Sequence, residues 1–167
     1  TMLQNSISKG LSSLGKNTFQ IQKFPAMQQG HLSDKIRNRK NLTIEEYYRL
    51  REMLDEAKLV GAEQWQFGKL FKSQYDETNA NIQLAGATPE AMLTNDWQIA
   101  EGRSINQDDM DRNRRVCVLG ADVVKKLFPR VNPLGQEVKV DGLRLTVIGL
   151  LTSRGAMFGQ SRDGFVV

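Results

Sequence analysis

The order of elements readable along the chain, α-β-α-β-β-α-β-α-β-β with several short hairpins, predicts an α+β fold. Three observations carry that prediction. Val116-Cys117-Val118-Leu119 is a short apolar run rich in β-branched residues, suited to a strand covered on both faces. It is followed at once by a helical stripe, Val123, Val124, Leu127 and Phe128, with Lys125 and Lys126 on the opposite side. Finally, Val138 and Val140 alternate with polar residues, Asp141-Gly142 forms a tight turn, and Leu143, Leu145 and Val147 alternate again as the returning strand of a hairpin.

The punctuation of this stretch agrees with its periodicity. Gly120 ends the first strand where a Cβ would hinder the turn, and Pro129 stops the helix because it has no N–H to continue the ladder. Asn132-Pro133-Leu134-Gly135 carries the residues of a turn, with Gly at its last position.

From the amino end, Met2, Leu3, Ile7, Leu11 and Leu14 recur at helical spacing, interrupted by Gly10 and ended by Gly15. Phe19 and Ile21 alternate with glutamines as a predicted strand closed by Pro25. Residues 26–41 are polar and read as a loop carrying Lys35, Arg37, Arg39 and Lys40, with His31 exposed and idle among Gln29, Gly30 and Ser33. Thr43-Ile44-Glu45-Glu46 is a capping box, opening a helix predicted to run to about Lys58 with Ile44, Tyr47, Leu50, Leu54 and Ala57 on its buried stripe. Asn41-Leu42-Thr43, formally a glycosylation sequon, is read as part of that cap.

Gly61 stops the helix, and Trp65 and Phe67 alternate with Gln64 and Gln66 as a strand whose aromatic face enters the core. A polar loop over residues 73–81 leads to a strand with Ile82 and Leu84 that ends at Gly86. Thr88-Pro89 is a helix start, with the hydroxyl as cap and proline at the first helical position. Glu101-Gly102-Arg103 reads as a turn, and Asp108, Asp109 and Asp111 as acids favouring a helix N-terminus. A calcium loop would need a central glycine and a terminal glutamate that are absent. Residues 153–164, with glycines at 155, 159 and 164 among Met157 and Phe158, are predicted to be a mobile loop, either a partner contact or a poorly ordered connection, and Phe165-Val166-Val167 opens a strand.

Composition narrows the function classes. At 167 residues, 40% hydrophobic and 25% charged, the chain is long enough to bury a core and is neither fibrous nor disordered. No apolar run reaches the roughly 18 residues of a membrane span, and the first residues lack the apolar stretch of a leader, so this polypeptide is expected to be soluble. A net charge of +4 permits an anionic partner without demanding one. The single cysteine, Cys117, cannot form an internal disulfide. There is no P-loop, no dinucleotide glycine motif, no paired Cys/His spacing for a metal, and no nucleophile with a base beside it. No catalytic, cofactor-binding or metal residue is therefore assigned, and no enzyme is expected. A nucleic-acid module using residues 35–40 with Arg112, Arg114 and Arg115 is the alternative, although no aromatic interleaving supports it. A carboxylate hydrolase would need two acids of split pKa.

Several segments, in register, resemble one family. Val116-Cys117-Val118-Leu119-Gly120, the helix ending Leu127-Phe128-Pro129, Asn132-Pro133-Leu134-Gly135-Gln136, the glycine-turn hairpin and Thr146-Val147-Ile148-Gly149-Leu150-Leu151 are similar to the extracytoplasmic core domain of MacB-like ABC transporter permeases. Upstream, Gly86-Ala87-Thr88-Pro89-Glu90 and Ala100-Glu101-Gly102-Arg103 match two more of its segments, and residues 10–19 resemble the stretch after the family's first membrane helix. The resemblance implies a mixed α/β lobe near the membrane with an inserted strand-rich lobe: residues 1–73 the first part of the membrane-proximal lobe, 74–151 the inserted lobe, and 152–167 the start of the return segment. It also implies a non-catalytic periplasmic or extracellular domain, held at the inner membrane by helices outside this polypeptide. That domain would transmit ATP-driven motion to export an antibiotic, peptide or lipoprotein. The implied partners are a second permease in a homodimer or heterodimer, an ABC ATPase domain, a membrane-fusion adaptor and an outer-membrane channel, with no nucleic acid.

Overall fold

The computed structural model describes residues 18–23, 34–157 and 160–167. The chain divides into two compact units, Thr1–Val60 and Gly61–Val167. The predicted helix over Met2 to Leu14, and His31, lie outside the described residues.

In the first unit, a single helical turn, α1 (Asp34–Arg37), interrupts the predicted loop and is closed by an ion pair of 2.7 Å between Asp34 and Arg37. Helix α2 (Ile44–Met53) begins at the capping box: the Thr43 hydroxyl accepts from the Glu46 N–H at 3.4 Å, and the Glu46 carboxylate accepts from the Thr43 N–H at 3.0 Å. It stops at Met53 rather than near Lys58. Only Tyr47 of its stripe is buried and Ile44 is 46% exposed, so no packing rewards extension through the polar residues that follow. Among the described residues Phe19 and Ile21 belong to no strand, and both are exposed, because alternation alone does not make a strand without an edge to pair with.

The second unit is built on a seven-stranded mixed sheet. Its strands are β1 (Glu63–Lys69), β2 (Ile82–Ala87), β3 (Ile99–Gly102), β4 (Val116–Leu119), β5 (Glu137–Val140), β6 (Leu143–Leu151) and β9 (Phe165–Val166). The order is β1-β2-β9-β4-β6-β3, with β5 also on β6. β6 is the spine: its first half pairs antiparallel with β5, its end pairs antiparallel with β3, and its other edge takes β4 in parallel. Parallel pairing of β4 and β6 requires a crossover, which α5 (Ala121–Leu127) and β5 supply. The turn between β5 and β6 has positive φ at both Asp141 (49°) and Gly142 (81°), the conformation that matches strand twist in a two-residue hairpin.

Both faces of the sheet are covered. Cys117 and Leu119 point into one core with Val123, Leu127, Val138 and Val147, while Val118, between them, enters a second core with Ala85, Met92 and Trp97. These three of the four β4 residues are fully buried, as the apolar run predicts, and Val116 is half-buried. Trp65, Trp97 and Phe165 form an aromatic cluster on the second face, with ring centroids 5.5–5.8 Å apart. At Gly120 a Cβ would sit 2.3 Å from the Asp163 carbonyl oxygen, so the close approach of β9 demands glycine.

Three local expectations are corrected. Phe67 is 69% exposed rather than core, because β1 is an edge strand whose register shifts between Gln66 and Lys69, around Gly68 at φ 69°. Glu101-Gly102 is the end of β3 rather than a free turn, since the edge of β6 is there to pair with it. The predicted loop after β6 contains a two-stranded pair, β7 (Ala156–Met157) with β8 (Gln160–Ser161), and Phe158 and Gly159 lie outside the described residues.

Candidate functional site

The second unit carries a trough of about 520 Å³ between β2 and β4, lined by Leu84, Ala85 and Ala87 on one side and by Val116, Leu143 and Leu145 on the other. It exists because β9 pairs with β2 only at Gln83 and Leu84, and with β4 only as far as the reciprocal backbone bonds of Val118 and Val167. Beyond that point the two strands continue with nothing between them among the described residues. The lining is mostly apolar and holds no nucleophile.

An ion pair with a buried carboxylate closes one end. Helix α4 (Gln107–Asp111) opens with a capping box in which the Asn106 side chain accepts from the Asp109 N–H at 2.9 Å, and Asp109 accepts from the Asn106 N–H at 3.1 Å. Asp109 is 2% exposed, and Arg103 donates to both its oxygens, Nη2 to Oδ1 at 2.9 Å, with Arg114 at 3.5 Å. The Arg103 hydrogen bonds hold the Asp109 carboxyl at about 2, well below the usual carboxylate range. This pair anchors α4 to the end of β3. Asp108 and Asp109 do lie in the first turn of the helix, whereas Asp111 is its last residue and accepts from the Gln107 side chain at 2.7 Å; the role of Arg103 depends on the fold. The spacing Asn106-x-x-Asp109 was the signal available for the cap.

A second carboxylate organises the segment after β6. Asp163 is buried and accepts from the Ser153 hydroxyl, the Arg154 N–H at 2.8 Å and the Gly155 N–H at 3.1 Å. Burial alone would raise its pKa, and these hydrogen bonds outweigh burial and hold it below its ordinary value. The Arg154 guanidinium reaches back to cap α3 (Pro89–Thr94), donating to the Asn95 carbonyl at 2.7 Å and to that of Asp96. Thr88 caps the other end of α3 and also accepts from the Ala62 N–H at 3.1 Å.

Five of the seven cations considered for an anionic partner, all but Lys35 and Arg115, are engaged within the chain. Arg37 pairs with Asp34, Lys40 with Glu46 at 2.9 Å, Arg112 with Asp108 at 2.7 Å, and Arg114 with Asp108 at 2.8 Å, while Arg39 donates to the Lys23 carbonyl. Cys117 is buried in the first core, which pushes its thiol up to about 12 and keeps it protonated. Among the described residues no cluster of His, Cys, Asp and Glu side chains is placed to hold a metal ion, and no helix is long and apolar enough to cross a membrane.

The comparisons with known proteins bear on this geometry. The profile of the MacB-like periplasmic core domain matches residues 1–167. The macrolide export ATP-binding/permease protein MacB of Syntrophobacter fumaroxidans is 36% identical over 85 residues, which is 50% of this chain and 12% of that protein. Its namesake in Bdellovibrio bacteriovorus is 25% identical over 163 residues, 98% of this chain and 24% of that protein. The crystal structure of the periplasmic region of MacB from Actinobacillus actinomycetemcomitans superposes with a TM-score of 0.67 at 20% identity, covering 96% of this chain and 68% of that one. The α+β architecture read from the sequence is therefore the one that periplasmic region adopts, and the relatives of this chain are ABC exporter permeases. The chain spans a quarter or less of the curated relatives just compared. It belongs to the family of MacB-like periplasmic core domains.

Proposed function

We propose that this chain is a non-catalytic extracytoplasmic domain of an ABC exporter permease, carrying ATP-driven motion from membrane helices to the outer side of the inner membrane. The observation that carries this reading is mechanical. β4 and β6 are locked together at the centre of a sheet packed on both faces, and the Arg103 and Asp163 clusters fasten the segments around it. A body packed in this way moves as one piece when its ends are displaced. ATP hydrolysis belongs in this reading to a separate cytoplasmic domain, the permease works as a dimer, and an adaptor and an outer channel complete the path. A membrane-proximal part with an inserted strand-rich part is included in the same proposal. The substrate in this reading is an antibiotic, a peptide or a lipoprotein, and the relatives' macrolide-export names support the first of these.

The test uses the full-length permease that carries this chain, reconstituted with its ATPase. Leu119→Ala leaves a cavity in the central strand and loosens the body without touching the nucleotide site. Basal ATP hydrolysis is expected to persist while macrolide export falls. Export that survives demonstrable loosening of the domain would overturn the proposal.

A further inference from the structure

The trough between β2 and β4 has the dimensions and edges of a missing strand. On β2, Ala85, Gly86 and Ala87 have partners on the β1 side, but the pairing with β9 reaches only Leu84. On β4, Val116 and Cys117 are paired to β6, and nothing described pairs with their other edge. Two facing strand edges this close are otherwise an unmanaged site for pairing. The side chains agree on both sides of the sheet. Leu84, Val140 and Leu145 line the trough and belong to the first core, while Ala85, Ala87 and Ile105 line it and belong to the second.

We propose that this trough is a strand slot. In the full-length permease it is filled by the polypeptide that follows Val167, running parallel to β2 and antiparallel to β4. The proposal rests on the reading of this chain as part of a longer permease. That reading is supported by the 24% share of the Bdellovibrio relative and the 68% share of the solved periplasmic region that the chain covers.

The existing registers define the placement. Gln83 pairs with Phe165 and Leu84 with Val166, so the first residue after Val167 falls beside Gly86 and the second beside Ala87. Leu119 pairs with Val166 and the Val118 backbone with Val167, so those same two residues fall opposite Cys117 and Val116. Faces alternate consistently: Val166 lies in the first core and Val167 in the second, which sends the first added side chain to the Cys117 face. Because Val118 and Val167 exchange both backbone bonds, the neighbouring pair at Cys117 is the close, non-hydrogen-bonded kind, at about 4.5 Å between Cα atoms. With both walls apolar, the residues entering the slot form an unbroken apolar run rather than an alternating one.

The experiment places a single cysteine at the first or the second residue after Val167 in the full-length permease. In this reading the domain faces the oxidising side of the membrane, so that a pair can oxidise as the chain folds. Denatured protein is then assayed for free thiols and for the linked peptides by mass spectrometry. A disulfide to Cys117 from the first position, and none from the second, is the expected result. A link from the second position only, or none from either together with Ala87 amide exchange as fast as an exposed loop in a permease that still exports, would overturn the slot while leaving the transport reading intact. If the variants fail to accumulate, amide exchange of the unaltered permease decides. Slow exchange at the Ala87 N–H supports the slot, and exchange as fast as an exposed loop overturns it. Protection of Ala87 that appears only when a partner protein is added assigns the slot to that partner and also overturns the proposal.

Discussion

Helices α2 and α5 are built by opposite means. α2 starts with a complete capping box yet buries only Tyr47. α5 starts at Gly120 with no side-chain cap, and its Val123 and Leu127 are fully buried against the sheet. The contrast shows that a cap chooses where a helix begins, whereas packing decides how strongly it is held. Helix α2 therefore depends on local chemistry and α5 on long-range burial.

That contrast can be broken most forcefully in α5. Leu127→Ala removes a side chain with no exposure and is expected to cost about 2–5 kcal/mol in denaturant unfolding of the second unit. A loss below about 1 kcal/mol would mean the core around α5 collapses to fill the gap. The next effect is at the ion pair of the buried Asp109. The Asp109 pKa is depressed to about 2 in the folded chain, so its contribution is present above the unfolded value near 4 and disappears as pH falls toward 2. Arg103 is 43% exposed and water screens the pair, so the contribution is about 1–2 kcal/mol. Asp109→Asn should lower stability at pH 7 by that amount and flatten the stability profile between about pH 4 and 2.

Smaller effects belong to α2. Thr43→Ala removes one arm of the capping box and is expected to cost about 1 kcal/mol, read as lost helicity in the first unit with the second unit's unfolding unchanged. Met53, 78% exposed, should tolerate alanine within about 0.5 kcal/mol. If Met53→Ala proved as damaging as Leu127→Ala, the distinction between the helices would be wrong.

The same division explains what could be read from the sequence. The Thr43 and Thr88 caps, the Asp141-Gly142 turn and the doubly buried β4 were legible because each depends on residues within a few positions of one another. The far end of α2 was not, since it depends on packing that the helical stripe promised and the fold did not supply. Glu101-Gly102 looked like a turn because nothing local announces that the edge of β6 lies alongside. The features around the trough were hidden for the same reason. β9 lies between β2 and β4, which are far from it in sequence, and the grip of Arg103 on Asp109 appears only when β3 and α4 meet. No motif marked the trough, because a gap between strand edges is a property of pairing and not of any residue type.

The central claim is that the sheet moves as one body while ATP is turned over. Hydrogen exchange of the full-length permease, compared with and without a trapped nucleotide state, tests it most directly. The account predicts that the amides of Val118, Leu119 and Val147 are among the slowest in the domain and exchange equally slowly in both states. Exchange at these positions that speeds up or slows down between states would show the sheet itself being remodelled, and would contradict the account.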